Sequence, residues 1–393
     1  MSMRSISSLW YDLRYRRRII QLTALVLLVL FVVFIVDNTQ TNLTRLNITP
    51  GFAFMDDVAG FMATYPNFNL TGYDVNKSTH FHVYITGLVN TLMVAAAGIV
   101  LATIIGFTMG VLRLSSNVLI RFIASAYVEG MRNVPLLLWI LIWYFAVILS
   151  GPSVKKSFSM FDSIFINQRY IAFPKPILGD GFWLIAAAVI AAIVGVVWLI
   201  IRAKRRHETT GVRMPVLWPS LALLAGLPFL ALLVTDFPIT WEVPYLKGFN
   251  YRDGIQLPSQ YSALVIALSV YTGAYIAELV RAGILAVDRG QHDAAMAIGL
   301  KPGRIMSIIV IPQAMRVIIP PLTSQYLNLT KDSSLAVAIG YMDIVNVFAG
   351  VSLMQTGNAL EIITLTMLVY ATISLIISMF MNYFNNRMKI VER

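Results

Sequence analysis

Residues 293–312 read DAAMAIGLKPGRIMSIIVIP and join two strongly apolar stretches of the chain. Asp288 or Asp293 can cap a short helix here, because a carboxylate accepts hydrogen bonds from the free N–H groups of a first helical turn. Gly299 suits the left-handed residue that ends such a helix, and Pro302 suits the first turn of the next one. The sequence therefore predicts a short helix, a glycine turn and a second helix.

The first of these two helices is too short to be stable alone in water. Ala294, Ala295 and Ile298 give it a small apolar face. This pattern predicts a helix that docks into a groove of another protein. The alternative is an ordinary loop that contains a chance helix.

The composition of the chain is that of a membrane protein. Hydrophobic residues make up 58% and charged residues 12%, and the mean hydropathy is +0.74. Soluble domains carry about 25% charged residues, and a membrane helix needs roughly 18–25 apolar residues in succession. We therefore expect an all-α, polytopic transmembrane helical bundle. The chain has no cysteine, which excludes disulfides and thiolate metal sites.

Eight membrane spans can be drawn, at about 19–36, 85–112, 119–149, 182–201, 216–235, 259–281, 306–330 and 360–384. The segments on the side that includes both termini hold 18 Lys and Arg in 72 residues, against 8 in 103 on the other side. Basic residues concentrate on the cytoplasmic side. Both termini are therefore predicted to be cytoplasmic, and the net charge of +11 needs no nucleic-acid partner.

We divide the chain into four parts. Residues 1–84 hold the N-terminal tail, the first span and an external loop, and 85–149 form the first part of a core. Residues 150–258 are an insertion with two spans of its own, and 259–393 form the second part of the core with the cytoplasmic loop.

Two spans carry further signals. The second has Gly98, Ala102, Gly106 and Gly110 at intervals of four, which predicts close packing against another helix. The seventh contains Pro312, Pro320 and Pro321 and runs into LTKDSSLAVAIG at 329–340. Proline removes a backbone hydrogen bond, and a broken membrane helix is tolerated only next to protein or a water-filled cavity. We therefore expect a break in this span beside a translocation path.

Charged residues recur near predicted span ends. Glu129 and Arg132 lie three residues apart, as do Glu278 and Arg281, so each pair can share a helix face and neutralise itself. We interpret both pairs as structural or gate-forming ion pairs, with direct substrate contact as the alternative.

Lys331, Asp332 and Ser333 lie where the seventh span is predicted to break. Charged groups beside unwound membrane helices suit a ligand that carries both charges. These residues are therefore candidates for the substrate path, and the alternative is a solvated pair in an external turn.

The stretch at 293–312 resembles the EAA loop of ABC importer permeases. In that motif an E-A-A triplet is followed by three residues and Gly, and nine residues later by I-x-L-P. Here the triplet is Asp293, Ala294 and Ala295, followed by Gly299 and by IVIP ending at Pro312. Asp replaces Glu, and Ile311 replaces Leu.

Four further motifs resemble the permeases that import polar amino acids, in particular the long permeases of general L-amino-acid uptake systems. They read EGMRNVPLLLW at 129–139, YIAELVRAGI at 275–284, IPQAMRVIIPPL at 311–322 and KDSSLAVAIG at 331–340. The resemblance covers 85–149 and 259–390. It implies a five-span core with three additional helices.

The resemblance also implies partners and a location. A periplasmic binding protein would deliver the amino acid to a pair of permeases in the bacterial inner membrane. Two ATPase subunits would grip the EAA loops and use the ATP, so that no cofactor binds this chain. The large insertion favours a heterodimer with a sister permease, and a homodimer is the alternative.

Other function classes fit the sequence less well. An ion-coupled secondary transporter also uses broken helices, but it needs no EAA loop, and the sequence has no visible inverted repeat. The chain lacks H-E-x-x-H, G-x-S-x-G and the phosphate-binding G-x-x-x-x-G-K-[ST], so we expect neither an enzyme nor an ATPase. No pattern indicates a passive channel.

Overall fold

The computed structural model describes residues 13–45, 51–212, 214–236 and 239–388. Most of them are helical. The α-helices are α1 Leu13–Arg45, α2 His80–Leu112, α3 Val118–Arg132, α4 Leu136–Leu141, α5 Phe182–Thr210, α6 Leu217–Val234, α7 Ser259–Leu285, α8 Arg289–Ala297, α9 Pro302–Ile305, α10 Ile311–Asp332, α11 Leu353–Thr356 and α12 Ala359–Met388. Wider π-helical turns follow α4, at Ile142–Ile148, and α9, at Met306–Val310, and another precedes α11, at Val345–Ser352.

Helices α2, α7 and α10 form the centre of the bundle. Helices α2 and α7 run in the same direction, and their closest approach follows the predicted stripe of small residues. A Cβ atom on Gly106 would lie 2.5 Å from the Cβ of Ile276, and one on Gly110 would lie 2.7 Å from the Cβ of Val280. The stripe packs as predicted, because only glycine leaves room for the facing β-branched side chains.

Seven helices of the described residues are long and apolar enough to cross a membrane, and the bent pair α3 and α4 can supply an eighth span. This confirms the predicted class. The third span, predicted at about 119–149, is sharply bent, because α3 and the segment Leu136–Ile148 meet at 106°. Pro135 explains the bend, since the residue before a proline is biased away from helical geometry.

The seventh span is not broken where it was expected to be. Pro312 lies just after the wider π-helical turn Met306–Val310, and the helical path continues through it. Pro320 and Pro321 are accommodated inside α10, and a 3-10 helix continues it from Ser333 to Ile339. The helical path ends at Gly340, which has a φ of +70°.

The insertion adds eight short strands to this helical bundle. They are β1 Phe158–Met160, β2 Ile164–Ile166, β3 Tyr170–Phe173, β4 Lys175–Leu178, β5 Ile239–Glu242, β6 Tyr245–Lys247, β7 Asn250–Arg252 and β8 Ile255–Pro258. They form an antiparallel sheet in the order β1-β2-β3-β8 and the pairs β4-β5 and β6-β7. The strands are too short for a clear alternating pattern, which is why the sequence did not indicate them.

The strands lie at one end of the bundle and α8 lies at the other. We call these the sheet end and the loop end. Strand β8 leads directly into α7, which runs from the sheet end to the loop end. Helices α5 and α6 leave the strands as a hairpin that packs mainly on itself.

Candidate functional site

The loop at 288–305 has the predicted local structure. The Asp288 Oδ1 atom accepts a hydrogen bond from the backbone N–H of Gly290 at 2.6 Å, so Asp288 and not Asp293 caps α8. Gly299 has a φ of +79°, and Pro302 lies in the first turn of α9. The glycine turn reverses the chain in the left-handed conformation that other residues disfavour.

The two faces of α8 differ from the predicted ones. Ala295 is buried inside the chain, in a cluster with Ile305 and Val310. Ile298 is 76% exposed and Met296 is 49% exposed. Ala294 and the Asp293 carboxylate are also exposed. Ala295 therefore anchors the helix, because its small side chain allows close approach, and the other residues form a free surface.

Three arginines surround Glu278 at the loop end of the bundle. Arg113 is the residue that follows α2, and its guanidinium group forms an ion pair with the Glu278 carboxylate. The Arg281 Nη2 atom lies 2.8 Å from Glu278 Oε1, and the Arg132 Nη1 atom lies 3.7 Å from Glu278 Oε2. The predicted pair of Glu278 and Arg281 is present.

Glu129 does not form the predicted pair with Arg132. Glu129 is exposed and makes no ion pair within the described part of the chain. Arg132 turns toward Glu278 and lies over the ring of Tyr275, 5.2 Å from its centroid. Glu278 therefore joins the ends of α2, α3 and α7. The third partner, Arg113, was not predicted from the sequence.

A polar cavity of about 250 Å³ lies between α7 and α10, midway along α7. Asp332 supplies the only charged side chain among its described lining residues. The hydroxyl groups of Tyr271 and Tyr275 are 3.2 Å apart. The full lining is Tyr271, Thr272, Tyr275, Gln325, Asn328 and Asp332.

The structure separates the three consecutive candidates at the end of α10. Asp332 lines the cavity. Lys331 is exposed and does not line it, and Ser333 is buried. The Ser333 hydroxyl donates to the backbone carbonyl of Thr330 at 2.7 Å, which is a helix-terminating contact. Lys331 and Ser333 therefore do not line the cavity.

The polar residues that line the cavity with Asp332 were not predicted from the sequence. Gln325, Asn328 and Asp332 are spaced by three and four residues, which places them on one face of α10. This polar stripe could have been recognised from the sequence. The facing residues Tyr271 and Thr272 come from more than 50 positions earlier, so only the packing of α7 on α10 joins the two sets.

The sequence of this chain matches a family model and several known proteins. The family model for the binding-protein-dependent transport system inner membrane component matches residues 210–390. Three relatives match along nearly their whole length. The putative amino-acid ABC transporter permease protein YhdX of Escherichia coli is 48% identical over 96% of this chain and 95% of that protein.

The general L-amino acid transport system permease protein AapQ of Rhizobium johnstonii is 43% identical, over 99% of this chain and 96% of that protein. The glutamate/glutamine/aspartate/asparagine transport system permease protein BztB of Rhodobacter capsulatus is 40% identical, over 99% and 97%. The ion-coupled alternative has no support among these matches. The chain belongs to the amino-acid ABC transporter permeases, in their long form.

Proposed function

We propose that this chain is the permease subunit of an ATP-driven importer that carries L-amino acids across the bacterial inner membrane. The observation that carries the proposal is the polar cavity around Asp332, which lies against the apolar core of the bundle. The names of the relatives support the substrate class, since they include general L-amino acid transport and glutamate, glutamine, aspartate and asparagine transport.

The cavity suits the two charges that every amino acid carries. The Asp332 carboxylate would pair with the substrate ammonium group. The amides of Gln325 and Asn328 and the hydroxyl of Thr272 would donate to its carboxylate. A charged side chain inside a membrane is costly and is by default a functional hypothesis. A substrate ammonium would offset that cost.

The exposed surface of α8 would receive the ATPase. It combines Met296 and Ile298 with Asp293 and Ala294, and this chain lacks the phosphate-binding motif of an ATPase. ATP would therefore be bound and hydrolysed by the partner chain. A helix laid into a groove through exposed apolar residues is a common docking mode.

Motion of α8 has a direct route to the cavity. Ala295 packs on Ile305 and Val310, which precede α10 without a break in the helical path. Helix α10 carries Asp332 at its far end. A push on α8 would therefore move one wall of the cavity while α7 holds the other wall.

The remaining partners follow from the family. We infer a second permease, favouring a sister chain over a second copy, and a periplasmic binding protein that supplies the amino acid. In this arrangement the sheet end faces the periplasm and the loop end faces the cytoplasm, with both chain termini on the cytoplasmic side. The predicted tails lie partly outside the described residues.

Gentle purification of the tagged chain from its native membrane tests this proposal. We expect a soluble ATPase with a phosphate-binding loop and a second permease, both identified by mass spectrometry, and ATP hydrolysis stimulated by amino acid and binding protein. A chain that purifies alone and moves amino acids on an ion gradient would overturn the proposal.

A further inference from the structure

A second and larger cavity, of about 900 Å³, opens at the sheet end. Its walls come from two distant parts of the chain. Tyr65, Tyr144 and Gln260 belong to the predicted first loop and the core, whereas Arg169 and Arg252 belong to the insertion. The insertion therefore builds a chamber against the bundle that a five-span core alone would not have.

Charges of both signs line this chamber. Arg169, Lys175 and Arg252 are cationic, and Glu242 and Asp253 are anionic. Lys175 and Glu242 lie opposite each other in the register of strands β4 and β5. None of the five forms an ion pair within 4.0 Å inside the described residues. Unpaired charges of both signs around one cavity match a ligand that carries both.

Four of these charged residues are exposed, but the wall beside them is packed. The Arg169 Nη1 atom donates to Asn250 Oδ1 at 2.9 Å, which holds the guanidinium group. The Tyr251 ring is buried and stacks on Phe165, with centroids 4.4 Å apart. The buried Gln256 amide donates to the Tyr251 carbonyl at 3.0 Å. A site whose groups are held before binding loses less entropy when the ligand arrives.

The chamber lies on the same face of α7 as the cavity around Asp332. Gln260 lines the chamber and Tyr271 lines the deeper cavity. They are eleven residues apart, or about three helical turns and about 17 Å along the axis. Leu264 and Ala267 lie on that face between them and are fully buried. Packed apolar side chains thus close the direct route in this conformation.

We propose that the chamber is a second amino-acid site, which holds the zwitterion at the sheet end before it enters the deeper cavity. Arg169 and Arg252 bind the α-carboxylate, and Glu242 and Asp253 bind the α-ammonium group. The proposal rests on the proposed function for the identity of the ligand. Its geometry is independent of Asp332.

The absence of cysteine from the natural chain allows a direct test. Gln168→Cys and Gln260→Cys each place one thiol in the chamber, one on the insertion and one on the core. The complex with its ATPase is placed in nanodiscs without binding protein and labelled with a maleimide, and mass spectrometry of this chain gives the rate. L-Glutamine at ten times its Kd should slow labelling about tenfold, because it leaves about one site in eleven free.

Variants and analogues separate the chamber from other causes of protection. Arg169→Gln and Asp253→Asn should each abolish protection, and asparagine tolerates the φ of +61° at position 253. Glutaramate and 4-aminobutyramide, which each lack one α-group of glutamine, should not protect. Lys156→Cys, exposed on the insertion outside the chamber, should label at the same rate with or without glutamine.

The Asp332→Asn variant distinguishes this inference from the proposed function. Uptake should be lost while the cysteines in the chamber stay protected. Protection that disappears with Asp332→Asn, survives both charge variants, or is absent at both cysteines would overturn the second site. Protection without any ATP-dependent uptake by the natural chain would instead overturn the proposed function and leave the site standing.

Discussion

At the residue scale, Glu278 shows how a charge placed in a membrane bundle finds its partners. Its carboxylate meets guanidinium groups from the ends of α2, α3 and α7. The side chain of Arg113 is only 10% exposed, so Glu278 is the group that compensates its positive charge. Breaking such a pair is costly, because it leaves a cation in poorly solvated surroundings.

We therefore expect Glu278→Gln to destabilise the chain. The loss should be about 2 kcal/mol, the scale of hydrogen bonds to a charged group. Thermal unfolding of the purified complex measures it. Glu129→Gln is the matched control, since this glutamate is exposed and makes no ion pair among the described residues. Equal unfolding midpoints for the two variants would show that Glu278 does not join the three helix ends.

Asp332 and Lys331 are neighbours in sequence with different environments. Asp332→Asn should weaken amino-acid binding about 10- to 100-fold, because a charge-assisted contact contributes about 1.5–3 kcal/mol. Lys331→Gln should leave binding and uptake nearly unchanged. Uptake into proteoliposomes and co-purification of the partners measure both variants. Normal uptake by the Asp332→Asn variant would show that this cavity is not the substrate site.

At the element scale, the contact between α2 and α7 depends on the absence of side chains. Gly106→Ala would put a Cβ atom 2.5 Å from that of Ile276, which is itself β-branched and cannot swing aside. We expect a loss of about 1–3 kcal/mol. Gly130→Ala is the control, because no heavy atom lies within 4 Å of its added methyl group. A stable Gly106→Ala variant, judged by thermal unfolding, would mean that the two helices separate easily.

Helix α8 has one buried residue, Ala295, and an exposed surface that we propose as the contact with the ATPase. Ile298→Glu should leave the chain folded, because this side chain is 76% exposed, but should release the ATPase. Co-purification and ATP hydrolysis measure the loss. Met354→Glu makes the same kind of change at the sheet end, on a side chain that is 88% exposed, and should retain the ATPase. Retention of the ATPase by Ile298→Glu would place the coupling contact elsewhere.

At the scale of the whole molecule, three membrane helices contribute little to the central bundle. The most apolar windows of α1 and α6 are 0% buried, and that of α5 is 11% buried. Their surfaces are free for lipid or for another subunit. These helices therefore add membrane-embedded surface without changing the packing of α2, α7 and α10.

The strands allow the α5–α6 hairpin to be removed cleanly. Leu178 and Ile239 are paired across β4 and β5, so an Asn-Gly turn can replace residues 179–238. We expect the shortened chain to insert, to keep its ATPase and to retain the chamber, since an even number of spans is lost. Native-membrane expression and the cysteine labelling described above measure this outcome. Loss of the ATPase would show that the hairpin supports the core.

The sequence alone determined the membrane class, nearly all of the spans and the turn at Gly299 and Pro302. These features depend on apolar length and on backbone preferences within a few residues, which neighbours in space do not alter. The glycine stripe was readable for the same reason. The bend before Pro135 was also encoded locally, in the residue pair at 134–135, but a long apolar segment concealed it.

Only the tertiary structure decided which side chains meet. Arg113 reaches Glu278 across 165 positions, and the α10 stripe with Asp332 faces α7 residues more than 50 positions away. The direction of Ala295, the burial of Ser333 and the chamber between the insertion and the core also depend on packing. Each results from how helices and strands approach one another, and that approach is set by the summed contacts of the whole bundle rather than by any single segment.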